Sequence, residues 1–111
     1  MRHKITEEAL NEIVNSSGVN VIYGYTLMCA TCKLAESFLD LAVQVVPLNV
    51  TKIDLNYYES FIKQYKIHSV PALLIFKDVT LQEEVYAFES VTKIVEIFKK
   101  YVDNKNMQWY Y

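Results

Sequence analysis

Short apolar runs rich in β-branched residues alternate along this chain with stretches whose apolar side chains recur every three or four positions. An unbroken apolar run suits a buried strand, whereas a period near 3.6 suits a helix with one apolar face. A chain that alternates the two folds through strand–helix–strand crossovers, which are right-handed and build a partly parallel sheet. The reading predicts helices over residues 6–17, 29–43, 56–65 and 91–102, and strands over 19–25, 48–55, 72–77 and 83–88. Thr6 followed by Glu7 and Glu8 suits a helix start, and Gly18 is expected to end that helix. The short polar link 78–82 predicts that the last two strands form an antiparallel hairpin. The expected fold is therefore α/β: one domain over residues 1–111, with a central mixed sheet of about four strands flanked by helices on both faces. The tail, 103–111, lacks periodicity.

Composition narrows the function classes. At 111 residues and 52% apolar content the chain can bury a core without staples. Its net charge is −2, and no basic stripe of the kind that binds nucleic acid appears. Most of the nine Tyr fall in apolar periodic segments, which suits packing better than base stacking. No apolar run approaches a membrane span, and the charged N-terminus does not read as a secretory signal. The expected location is the cytoplasm, with no membrane and no nucleic acid among the partners, and the expected state is a monomer.

Only two cysteines are present, Cys29 and Cys32, three positions apart. They fall where the strand 19–25 hands over to a helix. The first turn of a helix offers unpaired N–H groups and a positive dipole end, both of which favour a thiolate. Such a setting can lower a cysteine pKa from near 8.5 to roughly 3.5–7.5. Cys29 at the helix start would be the nucleophile. Cys32, nearly one turn on and more buried, would displace a mixed disulfide at Cys29. Two other readings compete. A zinc site would need further ligands, and only His3 and His68 are available, without zinc-finger spacing. Two ordinary buried thiols are the remaining choice. A cytosolic chain with this pair at a strand–helix junction favours redox exchange.

With these residues in view the sequence resembles the thioredoxin family. The resemblance covers most of the chain. It rests on the strand leading into Met-Cys-Ala-Thr-Cys-Lys, on Val50-Thr51-Lys52-Ile53-Asp54-Leu55-Asn56, on Ile67-His68-Ser69-Val70-Pro71-Ala72-Leu73-Leu74-Ile75-Phe76-Lys77, and on the amphipathic last helix. It implies a thioredoxin-like fold and a protein-disulfide oxidoreductase with no cofactor beyond the redox-active Cys29–Cys32 pair. It implies that Pro71 is a cis-proline against the disulfide, and that Val70 and Pro71 bind an extended substrate segment. Lys52 aligns with a lysine beneath the family's active site. The implied partners are protein disulfides and a thioredoxin reductase or other thiol reductant.

The departures are specific. The family's Trp before the first cysteine is Met28, and its Gly-Pro between the cysteines is Ala30-Thr31. Its buried Asp aligns with Tyr23, its helix-kinking Pro with Ser37, and a Gly near the last strand with Ala87. The family's first strand is short or missing. Without the Asp, the proton of Cys32 must leave through Lys52, Tyr23, water or buffer, so resolution is expected to be slower than in an ordinary thioredoxin. The potential is expected to differ from thioredoxin's roughly −270 mV. A redox-switched binding or sensor module with little turnover is the alternative function. His68, three positions before Pro71, reads as a surface loop residue before it reads as a base.

Overall fold

The computed structural model describes residues 4–102. Four helices surround a four-stranded sheet: α1 (Glu7–Val14), β1 (Val19–Tyr25), α2 (Ala30–Val45), β2 (Asn49–Asp54), α3 (Glu59–Tyr65), β3 (Ala72–Lys77), β4 (Thr80–Val85) and α4 (Val91–Lys99). Strand order is β2-β1-β3-β4. β1 and β2 run parallel, joined by α2, while β3 is antiparallel to both β1 and β4. No strand precedes β1 among the described residues, in line with the expected loss of the family's first strand.

Each face of the sheet has its own core, because side chains alternate along a strand. Val21, Tyr23, Leu73 and Ile75 point towards α2 and α4, where they meet Leu39, Ala42, Ile94 and Phe98. Ile22, Ile53, Leu74 and Phe76 point the other way, onto Leu10 and Val14 of α1 and Phe61 of α3. Leu39 is fully buried in the first core; truncating such a residue costs about 2–5 kcal/mol.

Helix ends follow their caps. The Thr6 hydroxyl accepts from the Ala9 N–H at 3.0 Å, and the Ser90 hydroxyl accepts from the Lys93 N–H at 3.1 Å, fixing the starts of α1 and α4. α4 buries Ile94, Val95, Ile97 and Phe98. It ends at Lys99, short of the expected 102. The helix expected over 56–65 is split: a 3-10 turn, Leu55–Tyr57, precedes α3, because the Asp54 carboxylate accepts from the Asn56 N–H at 3.0 Å. The strand expected over 48–55 accordingly ends at Asp54, and α2 runs two residues beyond the expected 43, to Val45.

Two expectations are corrected more substantially. Helix α1 stops at Val14, so Gly18 is not its cap. Gly18 instead takes φ +83° at the entrance to β1. The hairpin after β3 is also tighter than expected. β4 spans Thr80–Val85 rather than 83–88, and the link is Asp78-Val79 alone, with φ of 49° and 66°. Left-handed angles at both positions match the twist of a two-residue hairpin. They are unfavourable for β-branched Val79. A clasp holds them: the Asp78 N–H donates to the Gly18 carbonyl at 2.9 Å, and the Gly18 N–H donates to Asp78 Oδ1 at 2.8 Å. The expected tail over 103–111 lies outside the described residues.

Candidate functional site

The register of the sheet assembles the site. Gly24 near the end of β1 pairs with Ala72 at the start of β3. The segment Val70-Pro71, just before Ala72, therefore lies beside the loop that carries β1 into α2. Its peptide bond is cis. On the other side of β1, Tyr23 pairs with Lys52 of β2. Both side chains face α2, since neighbours in register share a face of the sheet.

Cys29 is the N-cap of α2. Its sulfur accepts from the Cys32 N–H at 3.1 Å and lies 3.4 Å from the Thr31 hydroxyl. The spacing of three on a helix brings the two Cα atoms to 5.2 Å, and the sulfurs are joined as a disulfide. That separation is in the ordinary range for such bonds. No acidic residue occupies the first turn of α2, so nothing there opposes a negative sulfur at the helix's positive end. The sulfurs differ in access, as expected: Cys32 is 3% exposed and Cys29 half-buried.

The surroundings of Cys29 are open and mainly apolar, with Lys33 beside Leu27, Met28 and Ala30. Met28, in place of the family's Trp, is 99% exposed, and Leu27 and Leu34 are also exposed. A groove beside the pair is lined by Thr31, Leu34, Phe38, Val70, Pro71 and Phe88, with Tyr86 on its wall. The exposed His68 stacks on Tyr86 with ring centroids 4.1 Å apart. It is absent from the residues lining this groove.

Behind Cys32 the character changes. Lys52 Nζ donates to Glu36 Oε2 at 2.6 Å and to Asp40 Oδ1 at 2.7 Å. Burial on its own would lower the lysine's pKa, but the bonds and charges of Asp40 and Glu36 outweigh it and raise the value. The fully buried Tyr23 donates its hydroxyl to the Cys32 carbonyl at 2.5 Å. Burial first, and then the nearby charges of Glu36 and Asp40, push this phenol far above its usual range. Sequence reasoning singled out Lys52 and Tyr23 but missed Glu36 and Asp40. Their spacing of four on one helix face was the available signal, and it reads equally well as a solvated surface.

No group of three or more His, Cys, Asp or Glu side chains gathers as a metal site among the described residues. A family model described as Thioredoxin matches residues 2–100. The chain is 35% identical over 98 residues to the thioredoxin-like protein YusE of Bacillus subtilis, covering 87% of this chain and 91% of that protein. It is 24% identical over 101 residues to a thioredoxin of Staphylococcus saprophyticus, covering 89% and 96%. Among solved structures, a mutant thioredoxin from Halobacterium salinarum superposes with a TM-score of 0.75 at 21% identity, over 85% of this chain and 83% of that one. Oxidised thioredoxin from Plasmodium falciparum gives 0.74 at 14% identity, over 90% and 98%.

Proposed function

Because the chain belongs to the thioredoxin family and carries its Cys-x-x-Cys pair as a protein-disulfide oxidoreductase, we propose that it exchanges dithiol for disulfide with cytosolic protein substrates, Cys29 attacking and Cys32 resolving. The observation that carries the reading is the inequality of the two sulfurs. The more accessible one caps α2, where N–H groups and the helix dipole favour its thiolate. The buried one stands within bonding distance and meets substrate only through the first.

Exchange then runs in two displacements. The Cys29 thiolate attacks a substrate disulfide, forming a mixed disulfide and expelling one substrate thiolate. Cys32 attacks Cys29, closes the internal disulfide and releases the second thiolate. The groove past Val70 and Pro71 suits an extended substrate segment, whose backbone can pair with that of Val70. The protein acts as a monomer, with a thioredoxin reductase or another thiol reductant resetting the pair.

Insulin reduction coupled to a thioredoxin reductase tests this. Multiple turnovers are expected, and none with Cys29→Ser. A pair that changes redox state with its partner but gives no turnover would replace this reading with that of a redox-switched binding module.

A further inference from the structure

This inference rests on the exchange reading and concerns its second displacement. Cys32 must lose its thiol proton to attack, yet it is 3% exposed. The titratable groups around it are Tyr23 and Tyr25 from β1, Lys52 from β2, and Lys33, Glu36 and Asp40 along α2. Tyr23 has its hydroxyl on the Cys32 carbonyl and remains a neutral phenol. Lys52 remains an ammonium between two carboxylates. Neither accepts a proton at neutral pH, which removes both side chains that the sequence offered for this task.

Glu36 stands four residues after Cys32, one turn along the same face of α2. The two residues share a cleft of about 140 Å³, completed by Tyr25, Thr26, Leu27 and Lys33. That space is large enough for several waters. The Glu36 side chain is 25% exposed, and its Oε2 is pinned by Lys52 at 2.6 Å. Asp40, the lysine's other partner, does not line the cleft.

We propose that Glu36 is the proton acceptor for Cys32, its carboxylate taking the thiol proton through water in this cleft as the mixed disulfide at Cys29 is resolved. The Cys32 thiolate then attacks the Cys29 sulfur. The Cys29–Cys32 bond forms, the bond from Cys29 to the substrate breaks, and the substrate leaves as a thiolate. Two protein thiols are oxidised, the substrate disulfide is reduced, and the proton on Glu36 passes through the cleft to the departing sulfur or to solvent. Lys52 is a positioning residue in this scheme, fixing the carboxylate at the cleft wall.

Stopped-flow reaction of the reduced full chain with excess dithiobis-nitrobenzoate separates the steps. Attack by Cys29 releases one nitrothiobenzoate in a phase that depends on reagent concentration. Attack by Cys32 releases the second in a phase that does not. Glu36→Gln is expected to leave the first phase unchanged and slow the second about tenfold. This is below the hundredfold or more of a typical positioned base, because a thiol is acidic enough for solvent to compete. Added imidazole, a small external base, is expected to restore part of the second-phase rate of Glu36→Gln and to leave the wild-type second phase nearly unchanged. Glu36→Asp serves if the first variant unfolds: its shorter side chain draws the carboxylate back, and the second phase slows severalfold. A Glu36→Gln second phase of unchanged rate, or a slowed one that imidazole does not restore, overturns the assignment; where Glu36→Gln unfolds, an unchanged rate in Glu36→Asp does so. A wild-type protein that gives no first phase overturns the exchange reading itself.

Discussion

The two sulfurs of one disulfide sit in opposite kinds of environment. Around Cys29 the chain presents apolar side chains to solvent, Met28 and Leu27 above all, and the sulfur is held by a backbone N–H and a hydroxyl. Around Cys32 the side chains are buried or charged, and the fixed groups are a phenol, an ammonium and two carboxylates. The difference teaches how one helix turn supports two tasks. A sulfur that must be anionic before substrate arrives is served by a helix end, which is always present. A sulfur that must stay protonated until a mixed disulfide forms is served, in the proposal above, by one carboxylate that takes its proton only then, held in place by the ammonium.

The most severe break in this comparison is to remove each sulfur in turn. Cys29→Ser and Cys32→Ser are both expected to lose essentially all steady-state turnover, but by different routes. Only Cys32→Ser accumulates a covalent adduct with substrate, because attack survives and resolution does not. Intact-mass spectrometry reads the difference, and adducts of equal yield from both variants would dissolve the division of labour.

A smaller effect is expected on the apolar side. Met28→Ser removes exposed apolar surface without adding charge. If a protein substrate covers about half of that side chain, the loss is about 1 kcal/mol, or roughly a fivefold rise in KM. Reaction with a small aromatic disulfide, which needs no such contact, is expected to keep its rate. Equal losses with both substrates would place the effect on the sulfur rather than on the rim.

The smallest effect is expected from the buried phenol. Tyr23→Phe deletes the bond to the Cys32 carbonyl, with an expected loss of about 1–2 kcal/mol in denaturant unfolding. The pH dependence has a definite sign. Burial first, and then the Glu36 and Asp40 charges, raise this phenol above its unfolded value of about 10. The native state therefore keeps a proton that the unfolded chain releases. The associated stability is fully present below about pH 10 and is lost as pH climbs towards the folded value. Tyr101, raised by its own burial and by Glu83, contributes in the same direction. The alkaline fall in stability should thus become shallower in Tyr23→Phe without vanishing.

Strands were more legible than connections. β1 and β3 run over the residues expected, because each is an apolar run buried on both faces and bounded by polar or proline-containing sequence. β4 was misplaced by three residues because a two-residue turn with Val at a left-handed position carries none of the usual Asn-Gly signal. That turn exists because of the Asp78–Gly18 clasp, a contact between residues 60 positions apart. The cysteine pair was legible because its chemistry depends on local spacing and on a strand–helix junction. The charged cluster behind Cys32 was not, because it joins one face of α2 to a residue of β2 that only the parallel register brings opposite Tyr23.

The sulfur that caps α2 ties reaction state to backbone state. The internal disulfide leaves the Cys32 amide hydrogen on that sulfur, whereas a bulky adduct that turns the sulfur outward would loosen the knot at which the helix is started. The amide of Cys32 thereby becomes a built-in indicator: its exchange with deuterated solvent should quicken when Cys29 carries a bulky adduct and slow again once the pair is free. The progress of the reaction can be followed at a peptide group, with no label on either sulfur.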